Sequence, residues 1–237
     1  MISIIVIVGQ EARADRIRAM FDQVAPRYDV RNRMFSLARD TAWRRRAARL
    51  TRLQPGQTAL DLCTGTGKLA HELIPMVSPG GRVIGIDFSP GMLERARAGE
   101  PDVEFRQGDV TRLSEADASV DAVTIGFGLR NLVNRDAALR EMRRVLRPDR
   151  RLVILEFAPP TGPLLAAYRL YLGWFMPAVA GLFSAKESSA YRYLAETVSN
   201  FPQPAALARD LEAIGFEVEV QRMTIGIVAF HVAVRRD

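Results

Sequence analysis

From residue 57 onward the chain alternates between short apolar runs and stretches with helical spacing, and this alternation restricts the fold more than any other feature. Five strand candidates come before residue 158: "TALDLC", "GRVIGID", "VEFRQGD", "VDAVTIGF" and "RLVILEF". Helical stretches such as the amphipathic "RDAALREMRRVL" separate them. Strands that alternate with helices at this spacing predict a parallel sheet with helices on both faces.

The C-terminal part departs from this alternation. "FEVEVQRM" and "GIVAFHVAV" follow each other closely and predict a closing hairpin. We therefore expect an α/β fold with a doubly wound, mostly parallel sheet of seven strands. The sheet domain covers residues 56–237 and has an apolar lid insertion at about 160–200. Residues 1–55 form a basic helical extension that packs on this core.

Two apolar stretches lie outside the predicted strands. "PLLAAYRLYLGWFMPAVAGLF", residues 163–183, contains one charged residue in a length that could span a bilayer. Arg169, Gly173 and Pro177 interrupt it, so we favour a lid or an interfacial helix pair over a transmembrane helix. The opening "MISIIVIVGQ" is too short to span a bilayer and lacks the signature of a signal peptide. We interpret it as an extra strand or an extension.

The first 55 residues carry all of the excess positive charge. They contain 12 Arg, no Lys and 5 acidic residues, and the whole chain has a net charge of +6. Such a patch suits anionic lipid, nucleic acid or an anionic substrate, and it equally suits a solvated helix face. The single cysteine, Cys63, excludes an internal disulfide and favours a reducing cytoplasm.

Distinctive residues follow the predicted strands, where ligands bind in doubly wound sheets. The first strand ends in "DLCTGTGKLA", in which Asp61 precedes Gly65 and Gly67. Glycines allow a tight turn and a close approach of the backbone to a ligand. Taken alone, this pattern is weak evidence for a ligand site. It equally fits a dinucleotide-binding loop or a tight strand-to-helix turn with a purely structural role.

The acidic residues at the next strand ends narrow the choice. Asp87 is placed to accept hydrogen bonds from both hydroxyls of a ribose, as in NAD-binding proteins. Asp109 can accept from an adenine amino group, and Val110 can donate its backbone N–H. Asp61 would repel a pyrophosphate but suits a cationic sulfonium ligand. The set favours S-adenosylmethionine over NAD.

Further stretches carry a specific resemblance across roughly residues 15–235. They are "MFDQVAPRYDVRNRMFS", "GIDFSPGML", "GFGLRN", "LREMRRVLRP", "YRYLAETVSNFP" and "GIVAFHV". The sequence resembles the class I S-adenosylmethionine-dependent methyltransferases, and among them the quinone C-methyltransferases of menaquinone and ubiquinone biosynthesis. The resemblance implies methyl transfer from S-adenosyl-L-methionine to a ring carbon of a polyprenyl hydroquinone. We expect demethylmenaquinol to be the acceptor, and a ubiquinol precursor is the alternative.

The resemblance places cofactor contacts at Thr66, Asp87, Asp109, Val110 and Gly126. The full set of candidate cofactor residues is Asp61, Gly65, Thr66, Gly67, Asp87, Phe88, Met92, Asp109, Val110 and Gly126. Two departures from the family pattern stand out. Lys68 adds a positive charge beside the glycine loop, and Asp149–Arg150 replaces a Gly–Gly turn. We expect the second departure to change the structure only locally.

The catalytic candidates are Arg130, Asn131 and Tyr28. Arg130 is too weak an acid to serve as a base at neutral pH. We expect it to stabilise a phenolate or to orient a proton-accepting water, with Asn131 bonded to a quinol oxygen. Alternatively, Arg130 pairs with a structural carboxylate such as Glu156.

Three further residues are candidates for substrate binding: Tyr191, Tyr193 and His231. The tyrosines could close over the quinol ring, or they could be ordinary half-buried packing. His231 is a candidate proton acceptor, although its apolar neighbours are typical of a strand histidine with a structural partner.

The polyprenyl tail of the implied substrate determines the expected partners and location. We expect a cytoplasmic protein that binds the inner face of the cell membrane peripherally, without a metal or nucleic acid. A homodimer is compatible with the sequence. The alternatives are a methyltransferase for a small phenol, a sterol or an RNA base, an NAD-dependent oxidoreductase, and a nucleic-acid-binding protein.

Overall fold

The computed structural model describes residues 2–25, 29, 33, 36, 38–160, 164–170, 174 and 185–237. The helices in these ranges are α1 (Ile2–Val24), α2 (Asp40–Leu50), α3 (Lys68–Val77), α4 (Pro90–Gly99), α5 (Arg135–Val145), α6 (Leu164–Leu170), α7 (Ala185–Asn200) and α8 (Pro204–Glu212). A 3₁₀ turn covers Leu129–Asn131. The strands are β1 (Thr58–Leu62), β2 (Arg82–Asp87), β3 (Glu104–Gln107), β4 (Val120–Gly126), β5 (Leu146–Phe157), β6 (Phe216–Met223) and β7 (Val228–Arg235).

The seven strands form one sheet in the order β3-β2-β1-β4-β5-β7-β6. The first five are parallel to their neighbours, and β7 pairs antiparallel with both β5 and β6. This confirms the predicted α/β, doubly wound, mostly parallel sheet of seven strands. The chain winds outward from β1 to β3 and then returns to β4, so the topological switch lies between β1 and β4.

The register of the central strands brings their carboxyl ends to one level. Leu62 of β1 pairs with Ile86 of β2 and with Ile125 of β4, and all three side chains are buried. Because helices cover both faces, these strands consist of nearly continuous apolar residues. The residues just after them therefore meet at one edge of the sheet.

Local signals set the helix boundaries near that edge. Ser89 caps α4 by accepting a hydrogen bond from the Met92 N–H at 3.1 Å, and Pro90 occupies the first helical position. Asn134 caps α5 in the same way, through a bond from Ala137 N–H at 3.1 Å. These caps hold the two helix starts beside the strand ends.

The N-terminal segment corrects the prediction. The opening apolar run is part of α1, which extends from Ile2 to Val24, so the predicted extra strand is wrong. An apolar run of this length does not distinguish a strand from a buried helix. Among the described residues, no helix combines the length and apolar character needed to cross a membrane.

The departure at Asp149 has the predicted local effect. Asp149 adopts φ +59°, a left-handed conformation, within a β5 strand that starts earlier than "RLVILEF" suggested. The pairing of β5 with β4 shifts register between Val120 and Ala122. Asp149 lies at the end of the sheet opposite to the carboxyl ends of the strands, away from the cavity described next.

Candidate active site

A cavity of about 660 Å³ opens at the carboxyl ends of β1, β2, β3 and β4. Predicted cofactor residues form much of its wall: Gly65, Asp87, Phe88, Met92, Asp109, Val110 and Gly126. Asn131, from the 3₁₀ turn after β4, lines it as well. The sequence therefore located the cavity at the switch point and eight of the 22 residues that line it.

Asp87 lies at the end of β2 with 5% of its surface exposed. Its Oδ2 accepts a hydrogen bond from Gly65 N–H at 2.8 Å, and its Oδ1 accepts one from Ser89 N–H at 2.9 Å. Burial raises the pKa of this carboxyl, against the lowering effect of these backbone bonds. A carboxylate can accept about four hydrogen bonds, so Asp87 retains capacity for the hydroxyls of a ribose.

Asp109 lies in the loop after β3 and is exposed to the cavity. Its Oδ1 accepts hydrogen bonds from the N–H and the hydroxyl of Thr111, both at 2.8 Å. These bonds fix the carboxyl group and leave Oδ2 to accept from a ligand amino group. Val110, buried beside it, adds an apolar surface that suits a purine ring.

The two glycines of the first loop have different functions. Gly65 has φ +57° and faces the cavity, with open space where a Cβ would be. Gly67 has φ +80° and is the N-cap of α3, and a Cβ there would come within 2.7 Å of the Phe105 ring. Gly67 therefore permits close packing, whereas Gly65 gives a ligand access to the backbone.

Asp61 does not line the cavity. It is buried beneath the glycine loop, and it accepts hydrogen bonds from the hydroxyls of Thr64 and Thr124, both at 2.6 Å. Burial raises its pKa to about 6, despite the opposing effect of these hydrogen bonds. Asp61 is therefore not placed to contact a cationic ligand in the cavity, contrary to our expectation from the sequence. Its hydrogen bonds instead join the glycine loop to β4.

Two other residues of the loop also point away from the cavity wall. The Thr66 hydroxyl donates to Asp29 Oδ1 at 2.6 Å. Lys68 Nζ lies 2.9 Å from Oε1 of the buried Glu100. The positive charge of Lys68 is therefore compensated by Glu100 and does not oppose a cationic ligand in the cavity.

Helix α1 forms a wall that the sequence analysis missed. Ile17, Arg18 and Phe21 line the cavity opposite the strand ends. The Phe21 ring packs edge-on against Phe88, with ring centroids 6.4 Å apart. The sequence predicted a helical extension here, but no local pattern showed what its apolar face would cover.

Arg130 forms the ion pair that we considered as the alternative to a catalytic role. Its Nη1 lies 2.8 Å from Glu156 Oε1, and the two side chains are 7% and 1% exposed. The guanidinium also lies over the Phe157 ring, 5.3 Å from its centroid. Unlike Asn131, Arg130 is not part of the cavity wall that carries Asp87 and Asp109.

Three buried polar atoms around this ion pair make no hydrogen bond with any described residue. They are Arg130 Nε, Asn131 Oδ1 and the hydroxyl of Tyr193. Burial raises the pKa of Tyr193, and the positive charge of Arg130 acts in the opposite direction. Buried polar atoms are almost always paired in folded proteins, so these three are candidates for contact with a polar ligand.

His231 has a structural environment, which corrects its assignment to the substrate site. It is 1% exposed in the interior of β7, and its Nε2 lies 2.9 Å from the Pro204 carbonyl oxygen. Burial lowers its pKa and favours the neutral ring. Tyr28 lies outside the described residues. Tyr191 lies on α7, but its side chain is outside the described part of the structure.

Solved structures with a similar fold include several SAM-dependent methyltransferases. One from Aquifex aeolicus has a TM-score of 0.54 and 22% identity, covering 77% of this chain and 83% of its own. A TehB-like enzyme from Corynebacterium glutamicum has a TM-score of 0.58 and 18% identity, with coverage of 90% and 98%. At these identities the likeness concerns the fold alone.

The model of the ubiE/COQ5 methyltransferase family matches residues 9–235. The chain belongs to this family. A relative from Thermus thermophilus is 43% identical over 221 residues, which cover 91% of this chain and 100% of the relative. A relative from Deinococcus radiodurans is 40% identical over 232 residues, covering 96% and 95%. Both relatives are named demethylmenaquinone methyltransferase.

Membership of the ubiE/COQ5 methyltransferase family makes the chain a methyltransferase, and its fold is that of the S-adenosylmethionine-dependent enzymes. The residues around the cavity fit such a cofactor. Asp87 and Asp109 provide acceptors for a ribose and an adenine, and Gly65 and Gly126 expose backbone. Membership of this family leaves the NAD-dependent oxidoreductase without support.

Proposed function

We propose that this chain methylates a ring carbon of a polyprenyl hydroquinone, demethylmenaquinol, with S-adenosylmethionine as methyl donor, in menaquinone biosynthesis. The observation that carries the proposal is the adjacency of two sites at one edge of the sheet. A cavity with adenosine-binding chemistry ends at Asn131, the residue after Arg130, and Arg130 Nε and the Tyr193 hydroxyl are buried without a partner among the described residues. The names of the relatives from Thermus and Deinococcus agree with this activity.

The cofactor part of the proposal assigns a task to each residue. Asp87 accepts from the ribose hydroxyls, and Asp109 and the backbone of Val110 hold the adenine. Met92 and Phe88 provide apolar contact to the base. When bound, S-adenosylmethionine supplies an electrophilic methyl group on a sulfonium. Alignment of the two reactants then provides much of the rate acceleration.

The acceptor part concerns the hydroxyl beside the carbon that is methylated. Loss of its proton makes the ring carbon nucleophilic, and the resulting phenolate needs a hydrogen-bond donor. Arg130 Nε is a buried donor with no partner among the described residues, and Glu156 holds its guanidinium in place. Asn131 and Tyr193 contribute further polar atoms at the same place. We assign to Arg130 the stabilisation of the phenolate.

The membrane part follows from the substrate tail. Leu170, Trp174 and Ile225 are 64%, 69% and 77% exposed, which is unusual for large apolar side chains. Ile225 lies in the turn before β7, level with the carboxyl end of β5, and the neighbouring Ile227 packs against Tyr168 of α6. Together with the arginine-rich extension, these exposed apolar side chains support peripheral binding to an anionic membrane.

The decisive experiment is a methyl-transfer assay with purified protein. It uses S-adenosylmethionine labelled in the methyl group and demethylmenaquinol in detergent micelles, with product identified by mass analysis. We expect labelled menaquinol that depends on both substrates. Transfer only to the ubiquinol precursor would replace the proposed acceptor. No transfer to either quinol, with S-adenosylhomocysteine still bound, would contradict the quinol assignment.

A further inference from the structure

Two carboxylates from the N-terminal segment contact the two core loops that border the cofactor cavity. Asp22, near the end of α1, accepts hydrogen bonds through Oδ1 from the Ser89 hydroxyl at 2.5 Å and from Gly91 N–H at 3.0 Å. Asp29 Oδ1 accepts from the Thr66 hydroxyl at 2.6 Å. Both contacts join segments that are far apart in sequence.

Each contact is made at the start of a core helix. Ser89 is the N-cap of α4 and Gly91 is its second residue, and Thr66 directly precedes Gly67, the N-cap of α3. A helix N-terminus carries unpaired N–H groups and a partial positive charge, both of which stabilise a carboxylate. Charge-assisted hydrogen bonds of this kind are about twice as strong as neutral ones.

The contact at Asp22 leads directly to the predicted ribose site. Ser89 donates its hydroxyl proton to Asp22, accepts from Met92 N–H, and donates its own N–H to Asp87 Oδ1. Asp87 Oδ2 in turn accepts from Gly65 N–H. One continuous set of hydrogen bonds therefore links α1 to the carboxyl group and to the glycine loop that border the cavity.

The same part of α1 forms the cavity wall. Phe21, the residue before Asp22, packs on Phe88, and Ile17 and Arg18 lie one turn earlier. A cofactor lying on the strand ends would have this wall on its open side. The position of α1 therefore decides how completely the cavity encloses its ligand.

We infer that Asp22 and Asp29 are positioning residues for the methyl donor: they hold the N-terminal segment as a roof over the cofactor cavity. This inference rests on the proposed function and adds a task for the N-terminal segment. The two residues touch neither the ligand nor the reacting atoms, and they act through Phe21 and its neighbours on α1. The roof raises affinity for the cofactor and leaves the methyl-transfer step itself unchanged.

The first test measures binding of S-adenosylhomocysteine by calorimetry. Removing a charge-assisted contact at the roof should weaken binding about tenfold in Asp22→Ala and about threefold in Asp22→Asn, which keeps one acceptor oxygen. Asp102→Ala is the matched control, because Asp102 is exposed and makes no hydrogen bond or ion pair with described residues. Affinities of Asp22→Ala within twofold of wild type would overturn the inference.

A double variant distinguishes one shared roof from two separate effects. If Asp22 and Asp29 hold the same segment, the loss in Asp22→Ala/Asp29→Ala should be smaller than the sum of the two single losses. In steady state, KM for S-adenosylmethionine should rise while kcat changes less than about twofold. Full additivity, or a loss confined to kcat, would contradict a common roof.

A ligand-free measurement separates this inference from the proposed function. Backbone amides of residues 12–25 should exchange hydrogen faster in Asp22→Ala than in wild type, while those of β1 and β4 stay unchanged. Unchanged exchange in α1 would overturn the contact itself. Faster exchange in a chain that binds no S-adenosylhomocysteine would confirm the contact, reject its role in cofactor binding, and count against the proposed function.

Discussion

Arg130 and Glu156 form a buried ion pair in which Nη1 lies 2.8 Å from Oε1 and the side chains are 7% and 1% exposed. Glu156 Oε1 also accepts from Phe157 N–H at 2.9 Å, so the carboxylate is held by its own strand. The pair thus fixes the guanidinium, whose Nε has no partner among the described residues. A structural ion pair and a chemical role are compatible in this geometry.

Removing one charge at a time should separate these two roles. Arg130→Met leaves Glu156 buried without a charged partner, and we expect a loss of about 3 kcal/mol in the free energy of unfolding. Adding Glu156→Leu should restore most of that stability, because an apolar pair replaces two desolvated charges. Turnover should stay low in both variants, since neither has a donor for the phenolate. Urea unfolding and the labelled methyl-transfer assay measure the two quantities.

The affinity for S-adenosylhomocysteine provides the control for this pair of variants. It should remain within about threefold of wild type, because Arg130 and Glu156 lie outside the wall of the cofactor cavity. A stable double variant with wild-type turnover would show that the ion pair is structural only.

Gly128 should tolerate no side chain unless its neighbour changes too. A Cβ on Gly128 would come within 2.4 Å of Cys63 Cβ, and both residues line the cavity. We expect Gly128→Ala to cost about 2 kcal/mol of stability through overpacking and to weaken binding of S-adenosylhomocysteine. Cys63→Gly should rescue it, because it removes the opposing Cβ at a position with φ +51° that glycine adopts freely. Thermal unfolding of both variants is the measurement, and an equally unstable double variant would exclude this clash as the cause.

Much of the fold could be predicted because its signals are local. The alternation of strand and helix periods predicted the layers of the fold. The acids at the strand ends, Asp87 and Asp109, could be assigned to the cavity because parallel strands bring their carboxyl ends together.

What the sequence did not reveal depends on contacts between distant segments. Asp22 and Ser89 are 67 positions apart, and no periodicity relates them. The carboxylate of Asp61 has the chemistry of a ligand-binding group, but hydrogen bonds from two threonine hydroxyls hold it in the protein interior. Its orientation depends on Thr124, which lies on another strand. The direction in which a side chain points at a strand end is determined by such hydrogen-bond partners and not by the type of amino acid.

Because Asp61 is a buried acid, it should make the free energy of unfolding decrease as the pH rises. Its pKa is raised to about 6 in the folded chain, against a usual value of 3.8. Its stabilising contribution is therefore fully present below about pH 3.8 and is lost as pH rises through about 6. The loss amounts to about 3 kcal/mol.

Asp61→Asn lacks this titration and keeps one acceptor for a threonine hydroxyl. Relative to wild type, its free energy of unfolding should improve between pH 4 and pH 7.5 by about 2 kcal/mol. Urea unfolding at four pH values in this range gives the difference. A difference that stays constant with pH would show that Asp61 titrates at its ordinary value.

The exposed apolar group should control membrane binding without affecting the cofactor site. Leu170, Trp174 and Ile225 are more than half exposed, and Val220, at 37%, lies on the edge strand β6 and offers a matched control. Replacing the first three with serine should reduce binding to vesicles of anionic lipid at least about tenfold, because each exposed large side chain contributes roughly 1.5–3 kcal/mol when fully buried. Val220→Ser should bind like wild type, and affinity for S-adenosylhomocysteine should be equal in all variants.

Vesicle co-sedimentation at low salt is the measurement. Equal binding of the triple variant and wild type would assign the membrane contact to another surface, with the arginine-rich extension as the next one to test by raising the salt concentration.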